Sequence, residues 1–416
     1  MFKLNRVITS AIVGNALEWY DYLLYAYFAS IIGTHFFPSS NVHTSLILTF
    51  AVFAVGFIAR PIGGMVFGYI GDEYGRKVAL TFSIALIAIP TTAIGLLPGY
   101  ERIGMFAPIL LVIMRILQGI SLGGEFSASS TFLVESAPDG KKGFFGSFST
   151  ASIGLGMMLV SLSVFALNLV LTKEEIADFG WRIPFLLSFV IGFIGFYIRK
   201  NLSESHEFIA AKESNKLSKT PFKTIFVNHK AALITCVAIF MTITIPIYTI
   251  AIFSKTMMVA MLGYDEKIAS LAHVMVVAIF TLTAPFFGYL SDKINGKKIL
   301  LVSAIATAIC IYPFISALIS GNLVYVFTLY TIMGVLIGAY QGVVPTLFVT
   351  AFPVAVRSSG VSLSYNIPAV LFGGTAPMIL TLFAKHGGLV TTAYYVIFGC
   401  LCSTISLIYL LRKPNN

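Results

Sequence analysis

The stretch Ala231-Ala-Leu-Ile-Thr-Cys-Val-Ala-Ile-Phe-Met-Thr-Ile-Thr-Ile-Pro-Ile-Tyr-Thr-Ile-Ala-Ile252 holds 22 residues without one charge. A run of about 20 apolar residues is what a helix needs to cross a bilayer. It lacks the period-2 alternation of a barrel strand, as does the shorter run Leu46–Ile58. Only helices and closed barrels satisfy their backbone groups in lipid, so the chain reads as an all-α polytopic membrane protein.

The rest of the sequence agrees. Of 416 residues, 57% are hydrophobic and 11% charged, against roughly 25% charged in a soluble domain. Too few polar groups remain to cover a soluble enzyme, and a disordered chain or a secreted disulfide scaffold is excluded as well. The length allows about twelve spans, which we place at 8–34, 45–70, 79–98, 104–133, 144–171, 183–199, 231–256, 267–290, 299–319, 323–351, 359–384 and 389–411. The first is not expected to be a cleaved signal peptide. Lys3 and Arg6 resemble its basic start, but Glu18 and Asp21 interrupt what would be the apolar core.

Nineteen Lys and Arg fall on one side of these spans and six on the other, with Arg60 and Arg115 inside them. This bias predicts both termini in the cytoplasm and accounts for the net charge of +10 without nucleic acid, the basic residues being read as a solvated surface that faces headgroups. Cys236, Cys310, Cys400 and Cys402 all lie in apolar spans without a metal-ligand spacing. They are expected to pack as hydrophobes, and no metal or cofactor is implied.

One long polar interval, 200–228, divides the chain into expected domains: a six-helix bundle over 1–199, a cytoplasmic linker with a surface helix over 200–228, and a second six-helix bundle over 229–416. The halves repeat each other. Gly68-Tyr-Ile-Gly-Asp72-Glu-Tyr-Gly75-Arg76-Lys77 follows the second span, and Gly288-Tyr-Leu-Ser-Asp292-Lys-Ile-Asn-Gly296-Lys297-Lys298 follows the eighth. Glu135-Ser-Ala-Pro138 follows the fourth, and Thr350-Ala-Phe-Pro353 follows the tenth. Internal duplications of this kind build transporters whose binding site lies between the repeats.

These residues carry a resemblance. Gly68-x-x-x-Asp72-x-x-Gly75-Arg76-Lys77 and Arg115-Ile-Leu-Gln-Gly119-Ile-Ser-Leu-Gly123-Gly124-Glu125 resemble the signatures of the major facilitator superfamily. More specific are Gly14-Asn-Ala-Leu-Glu18-Trp19-Tyr20-Asp21-Tyr22, Gly180-Trp181-Arg182-Ile-Pro184-Phe185, Asn201-Leu-x-Glu204-Ser-x-Glu207-Phe208, and Phe352-Pro353-x-x-x-Arg357-x-Ser359-Gly360 with Tyr365-Asn366 and Phe372-Gly373-Gly374 beyond it. Together they are similar to the metabolite:proton symporter branch, which includes proline/betaine, 2-oxoglutarate, citrate and shikimate carriers. The resemblance implies twelve helices in two pseudo-symmetric bundles, a multi-pass protein of the bacterial inner membrane and a functional monomer. It also implies symport of a small polar or zwitterionic metabolite with protons, by alternating access. An uncoupled facilitator or exchanger is the alternative, and a non-transporting sensor a remoter one. The chain departs from the branch in three ways. It ends at Asn416 without an extended osmosensory tail, carries Thr350 where the branch has Glu, and has Gly296-Lys297-Lys298 without the Arg of the first half.

Charges inside a span cost roughly 2.5–3.5 kcal/mol each, so those that persist need a partner or a task. Glu18 and Asp21 lie roughly 15–20 Å along their span, three residues apart on one helix face. A carboxylate without a full-time partner in low dielectric can take up and release a proton. Asp21 and Glu125 are the first candidates for proton coupling and Glu18 the third, with Glu18 alternatively the partner of an Arg. Arg60 and Arg115 either form structural ion pairs or hold a substrate's carboxylate. For substrate contact the aromatic first span offers Trp19, Tyr20 and Tyr22, whose faces suit a cation, and span 11 offers Tyr365 and Asn366. Asp72 can bond the N-terminal amides of another helix and Arg76 can pair with an acid such as Glu135. Together with Gly68, Gly75 and Asp292 they are the expected gate. The second half holds no carboxylate inside its spans, and His273 is read there as a packed histidine. No phosphate-binding loop, zinc-binding helix or nucleophile elbow occurs, so no enzyme is expected. The expected partners are a small molecule, protons and the bilayer.

Overall fold

Apolar runs in lipid leave the backbone no water to bond, so each run closes its own ladder as a helix. The computed structural model describes residues 2–39, 42–201, 203–214, 218 and 220–412, and among them no strand occurs. Twelve helical spans follow in order: α1 Phe2–Tyr27, prolonged by Ala29–Phe36; α2 Val42–Glu73; α3 Arg76–Leu96; α4 Phe106–Glu135; α5 Lys142–Val170; α6 Arg182–Lys200; α7 Lys230–Pro246, continued to Met261; α8 Glu266–Lys293; α9 Gly296–Ser320; α10 Leu323–Ala351; α11 Arg357–Pro368, continued to Gly387; and α12 Thr392–Arg412. Ten are long and apolar enough to cross a membrane unaided, and α11 with its continuation forms an eleventh, bent by 41°. In α1 that character is diluted by Asn15, Glu18 and Asp21.

The sequence boundaries hold to a few residues, except that α7 and α11 are irregular within the membrane. Just past Pro246 and Pro368 the ladder widens into π-helical turns, Ile247–Phe253 and Ala369–Gly374. Proline lacks the N–H of the regular ladder and crowds the preceding turn, which favours such a break.

Packing repeats the duplication. In the first bundle α1 lies on α5, α2 on α4 and α3 on α6; in the second α7 lies on α11, α8 on α10 and α9 on α12. The bundles meet through α2 on α11 and through α5 on α8, one relation used twice. Backbone proximity makes the α2–α4 contact possible: a Cβ at Gly119 would overlap the Gly56 carbonyl, and one at Gly123 the Arg60 carbonyl. Small residues at such crossings are how membrane helices approach closely. Ile58, Phe82, Phe193, Leu282, Ile309 and Ile405 point outward, each more than 60% exposed, as a lipid-facing belt requires. His273 bonds the Ala251 carbonyl through Nδ1.

One reading is corrected. Arg76 and Arg199, counted among the cations facing headgroups, are fully buried. Lys216, Lys219 and Lys413 lie outside the described residues.

Candidate functional site

The crossing of α2 and α4 brings Arg60 and Arg115 into one aromatic enclosure at the bundle interface. The Arg115 guanidinium lies 4.4 Å from the Tyr22 ring centre, 4.5 Å from Tyr25 and 5.0 Å from Phe53. Its Nη1 donates to Gln118 Oε1 (2.7 Å) and to the Tyr22 carbonyl (3.3 Å), while Gln118 is held by Thr91 (2.6 Å). Arg60 lies 4.8 Å from the Tyr365 ring and 5.3 Å from Phe57. Tyr365 in turn stacks on Phe126 at 4.4 Å, and the break after Pro246 brings Tyr248 against Phe57 (6.1 Å).

Neither arginine has a carboxylate within ion-pairing distance among the described residues. The ion-pair reading of Arg60 and Arg115 is therefore corrected. Nε and Nη2 of both, and the Tyr22 hydroxyl, are buried without a hydrogen bond of good geometry, although the Tyr22 and Tyr365 hydroxyls lie near the Arg115 and Arg60 guanidinium groups. Cation–π contact returns up to about 2 kcal/mol per desolvated arginine. Four unmade donors cost about 1–3 kcal/mol each, so the protein alone leaves this enclosure unsatisfied. An anion with planar acceptor oxygens would complete it, because a guanidinium matches a carboxylate fork to fork.

The acids sit elsewhere. Arg199 reaches from α6 past Gly14 and binds Glu18 (2.5 Å) and Glu125 (3.2 Å), with a further bond to the Leu80 carbonyl (2.6 Å). Ser83 donates to the same Glu18 oxygen (2.9 Å). Two acids thus share one cation. Asp21, one turn along α1, is 2% exposed and accepts from Ser188 of α6 (2.6 Å). No cation pairs with it among the described residues. Glu18 and Asp21 share a helix face yet have separate partners. Glu125 adjoins the enclosure, next to Phe126 on which Tyr365 stacks, whereas Asp21 faces α6.

Where α1 begins and α12 finishes, the bundles are tied together. Asp72 accepts from the Ser358 and Ser359 amides at the start of α11, both at 2.9 Å. Asp292 accepts from the Gly143 and Phe144 amides at the start of α5, at 2.6 and 2.8 Å. A carboxylate at a helix N-terminus satisfies free amides and opposes the helix dipole. Arg76 bonds Glu135 (3.1 Å) and the Val354 carbonyl of the other half (3.0 Å). Glu135 also receives Arg357 (2.9 Å) and Ser205 (2.5 Å). Gly68 lets α2 approach Ser359, and Gly75, at φ 118°, turns the chain into α3 with Glu204 packed where a side chain would stand.

The interval 200–228 is more than a surface linker. Glu204 accepts from the Lys77 amide (3.0 Å), and Glu207 bonds Lys142 (2.8 Å) and Arg357 (2.5 Å). Burial opposes the charged form of Glu207, but the bonds from Lys142 and Arg357 outweigh it and hold the carboxyl below its ordinary value. A lowered carboxyl keeps its bridge at neutral pH and loses it as pH falls through that value. Glu135→Gln removes one charge from two arginines. It is expected to raise alkylation of a Ser147→Cys probe, buried against Gly288 in this closed face, about tenfold in a cysteine-less background. An unchanged rate would show that Glu135 does not hold the face shut.

Of the aromatic candidates, Tyr22 and Tyr365 line the enclosure, and Trp19 touches Tyr22 edge-on at 6.4 Å. Tyr20 does not join them: its hydroxyl accepts from Ser163 of α5 (3.3 Å), because adjacent helical residues point about 100° apart. Asn366 donates to the Gly123 carbonyl (2.7 Å) and so ties α11 to α4. Sequence reasoning missed Arg199, Ser188, Gln118, Phe53, Phe57 and Tyr248.

The sequence profile of the Major Facilitator Superfamily matches residues 12–370. The chain belongs to this superfamily. It is 36% identical over 402 residues to a Staphylococcus aureus (strain COL) protein described as "Putative proline/betaine transporter", covering 95% of this chain and 85% of that one. It is 30% identical over 425 residues to the proline/betaine transporter of Escherichia coli (strain K12), covering 100% and 85%. Among solved structures, the proton:xylose symporter XylE bound to 6-bromo-6-deoxy-D-glucose superposes with a TM-score of 0.82 at 16% identity, over 99% of this chain and 96% of that one. The superfamily member described here is thus a multi-span helical membrane protein with the two-bundle fold.

Proposed function

We propose that this chain is a secondary active transporter that moves a small carboxylate-bearing metabolite, a proline- or betaine-like zwitterion or an organic acid, together with protons by alternating access. The observation that carries this reading is the pair of buried arginines, Arg60 and Arg115, which lack a carboxylate partner among the described residues and stack on aromatic rings that touch one another, Tyr22 on Phe57. The names of the relatives support it, since proline and betaine each carry one carboxylate and one cationic nitrogen. Carboxylate oxygens suit the arginines, and the ring of Trp19, on which neither guanidinium stacks, suits the cation.

Asp21 is the first coupling candidate because, among the described residues, it alone of the three candidate acids has no cation paired with it; Glu125 and Glu18 follow, sharing Arg199. Asp72, Arg76, Glu135 and Asp292, with Gly68 and Gly75, close the face we read as cytoplasmic. Residues 1–199 and 229–416 act as the two rocking bodies, and 200–228 joins them. The protein works as a monomer in the bacterial cytoplasmic membrane with both termini inside.

Reconstituted into proteoliposomes, the protein is expected to accumulate labelled proline, glycine betaine or 2-oxoglutarate under an imposed inward proton gradient and to lose that accumulation with a protonophore. Equilibration without accumulation under any gradient would replace symport by facilitation or exchange.

A further inference from the structure

The duplication sets Lys297 in the place of Arg76, each directly after the glycine that opens the next helix, and Thr350 in the place of Glu135, each three residues before a proline. In the first half the two are joined as a buried ion pair at 3.1 Å. In the second half the acid is missing. Thr350 turns its hydroxyl back to the Thr346 carbonyl (2.7 Å), and among the described residues Lys297 Nζ has one hydrogen bond, to the Leu410 carbonyl at 3.3 Å. No carboxylate pairs with Lys297 among the described residues.

A cavity of about 270 Å³ lies where the missing partner would stand, between α7, α9, α10 and α12, lined by Thr235, Cys236, Lys297, Thr350 and Tyr409 over an otherwise apolar wall. Exposed Lys230, Lys298 and Arg412 stand at the neighbouring ends of α7, α9 and α12. The nearest acid by sequence, Asp292, is occupied by the amides of α5. A half-buried ammonium with spare donors, an apolar wall and a basic rim at one edge of the membrane together match a phospholipid phosphate, with its glycerol and chains on the apolar side.

We propose that this cleft binds the phosphate of an anionic phospholipid, so that in the second half the membrane supplies the counter-ion that Glu135 supplies in the first. Free phosphate shares that chemistry but gains nothing from the apolar wall. The site is separate from the arginine enclosure and does not depend on what is transported there.

The test compares the full chain with Lys297→Gln and Thr350→Glu. The second variant places a protein carboxylate beside Lys297 and is expected to fold at least as well as the parent. Native mass spectrometry after delipidation and titration with phosphatidylglycerol is expected to show about tenfold weaker retention in both variants, the value of a lost charge-assisted bond. Phosphatidylcholine is expected to be retained equally by all three proteins. Thermal stability is expected to rise with phosphatidylglycerol in the parent alone and to be unmoved by millimolar inorganic phosphate. Equal retention of phosphatidylglycerol by all three proteins would overturn the proposal, and protection by inorganic phosphate without a lipid effect would overturn the lipid source.

Discussion

Arg115→Gln and Arg60→Gln are each expected to weaken binding of the transported metabolite about 30- to 3,000-fold, read as the concentration needed for half-maximal counterflow. The range follows from the roughly 2–4.7 kcal/mol lost when one partner of a buried, hydrogen-bonded charge pair is truncated. Both guanidinium groups are buried, both leave Nε and Nη2 without a well-formed hydrogen bond, and among the described residues no carboxylate pairs with either. Glutamine keeps most of the length and loses the charge. Arg115→Lys separates charge from geometry: it keeps the cation but not the fork that matches a carboxylate, so an intermediate loss is expected. Substrate binding unchanged in both glutamine variants would remove the arginines from the site, leaving them as aromatic-stacked structural groups.

Asp21→Asn is expected to abolish accumulation driven by a proton gradient while leaving counterflow within about twofold of the parent. Asparagine is nearly the same shape and its amide oxygen still accepts from Ser188, so the α1–α6 contact survives. What it lacks is a proton to exchange, and accumulation must fall to equilibration when the coupled charge is lost. Glu18→Gln and Glu125→Gln serve as the contrast. Each leaves Arg199 one carboxylate, so both variants are expected to fold. If either of them loses accumulation while Asp21→Asn keeps it, the proton belongs to the Arg199 cluster.

Much of this was legible in the chain because the signals are local. The gate motif could be read since Asp72, Gly75 and Arg76 lie within five residues and are echoed about 220 residues later by Asp292, Gly296 and Lys297, one turn of chain that must do one job twice. Arg60 and Arg115 stood out as lone charges in apolar runs. Arg199 did not: beside Lys200 at the end of a span it has the profile of a headgroup cation. Its burial arises only because α6 packs on α3 and Gly14 of α1 leaves room for the guanidinium. Glu204, Ser205 and Glu207 were hidden in the same way, as polar residues in a polar stretch. Their partners Lys77, Glu135 and Arg357 come from three distant places.

The amino-acid sequence by itself therefore determined the helices, their number, the membrane and the duplication, because a backbone in lipid must close its hydrogen bonds within each span whatever surrounds it. Only the tertiary structure decided which charge meets which. Side chains three residues apart on α1 were given separate partners, and Arg60 and Arg115 were left without a carboxylate among the described residues, by the close crossings at Gly119 and Gly123 that set α2 against α4. Pairing of buried charges acts over a few ångströms between helices far apart in the chain, and no local pattern encodes it.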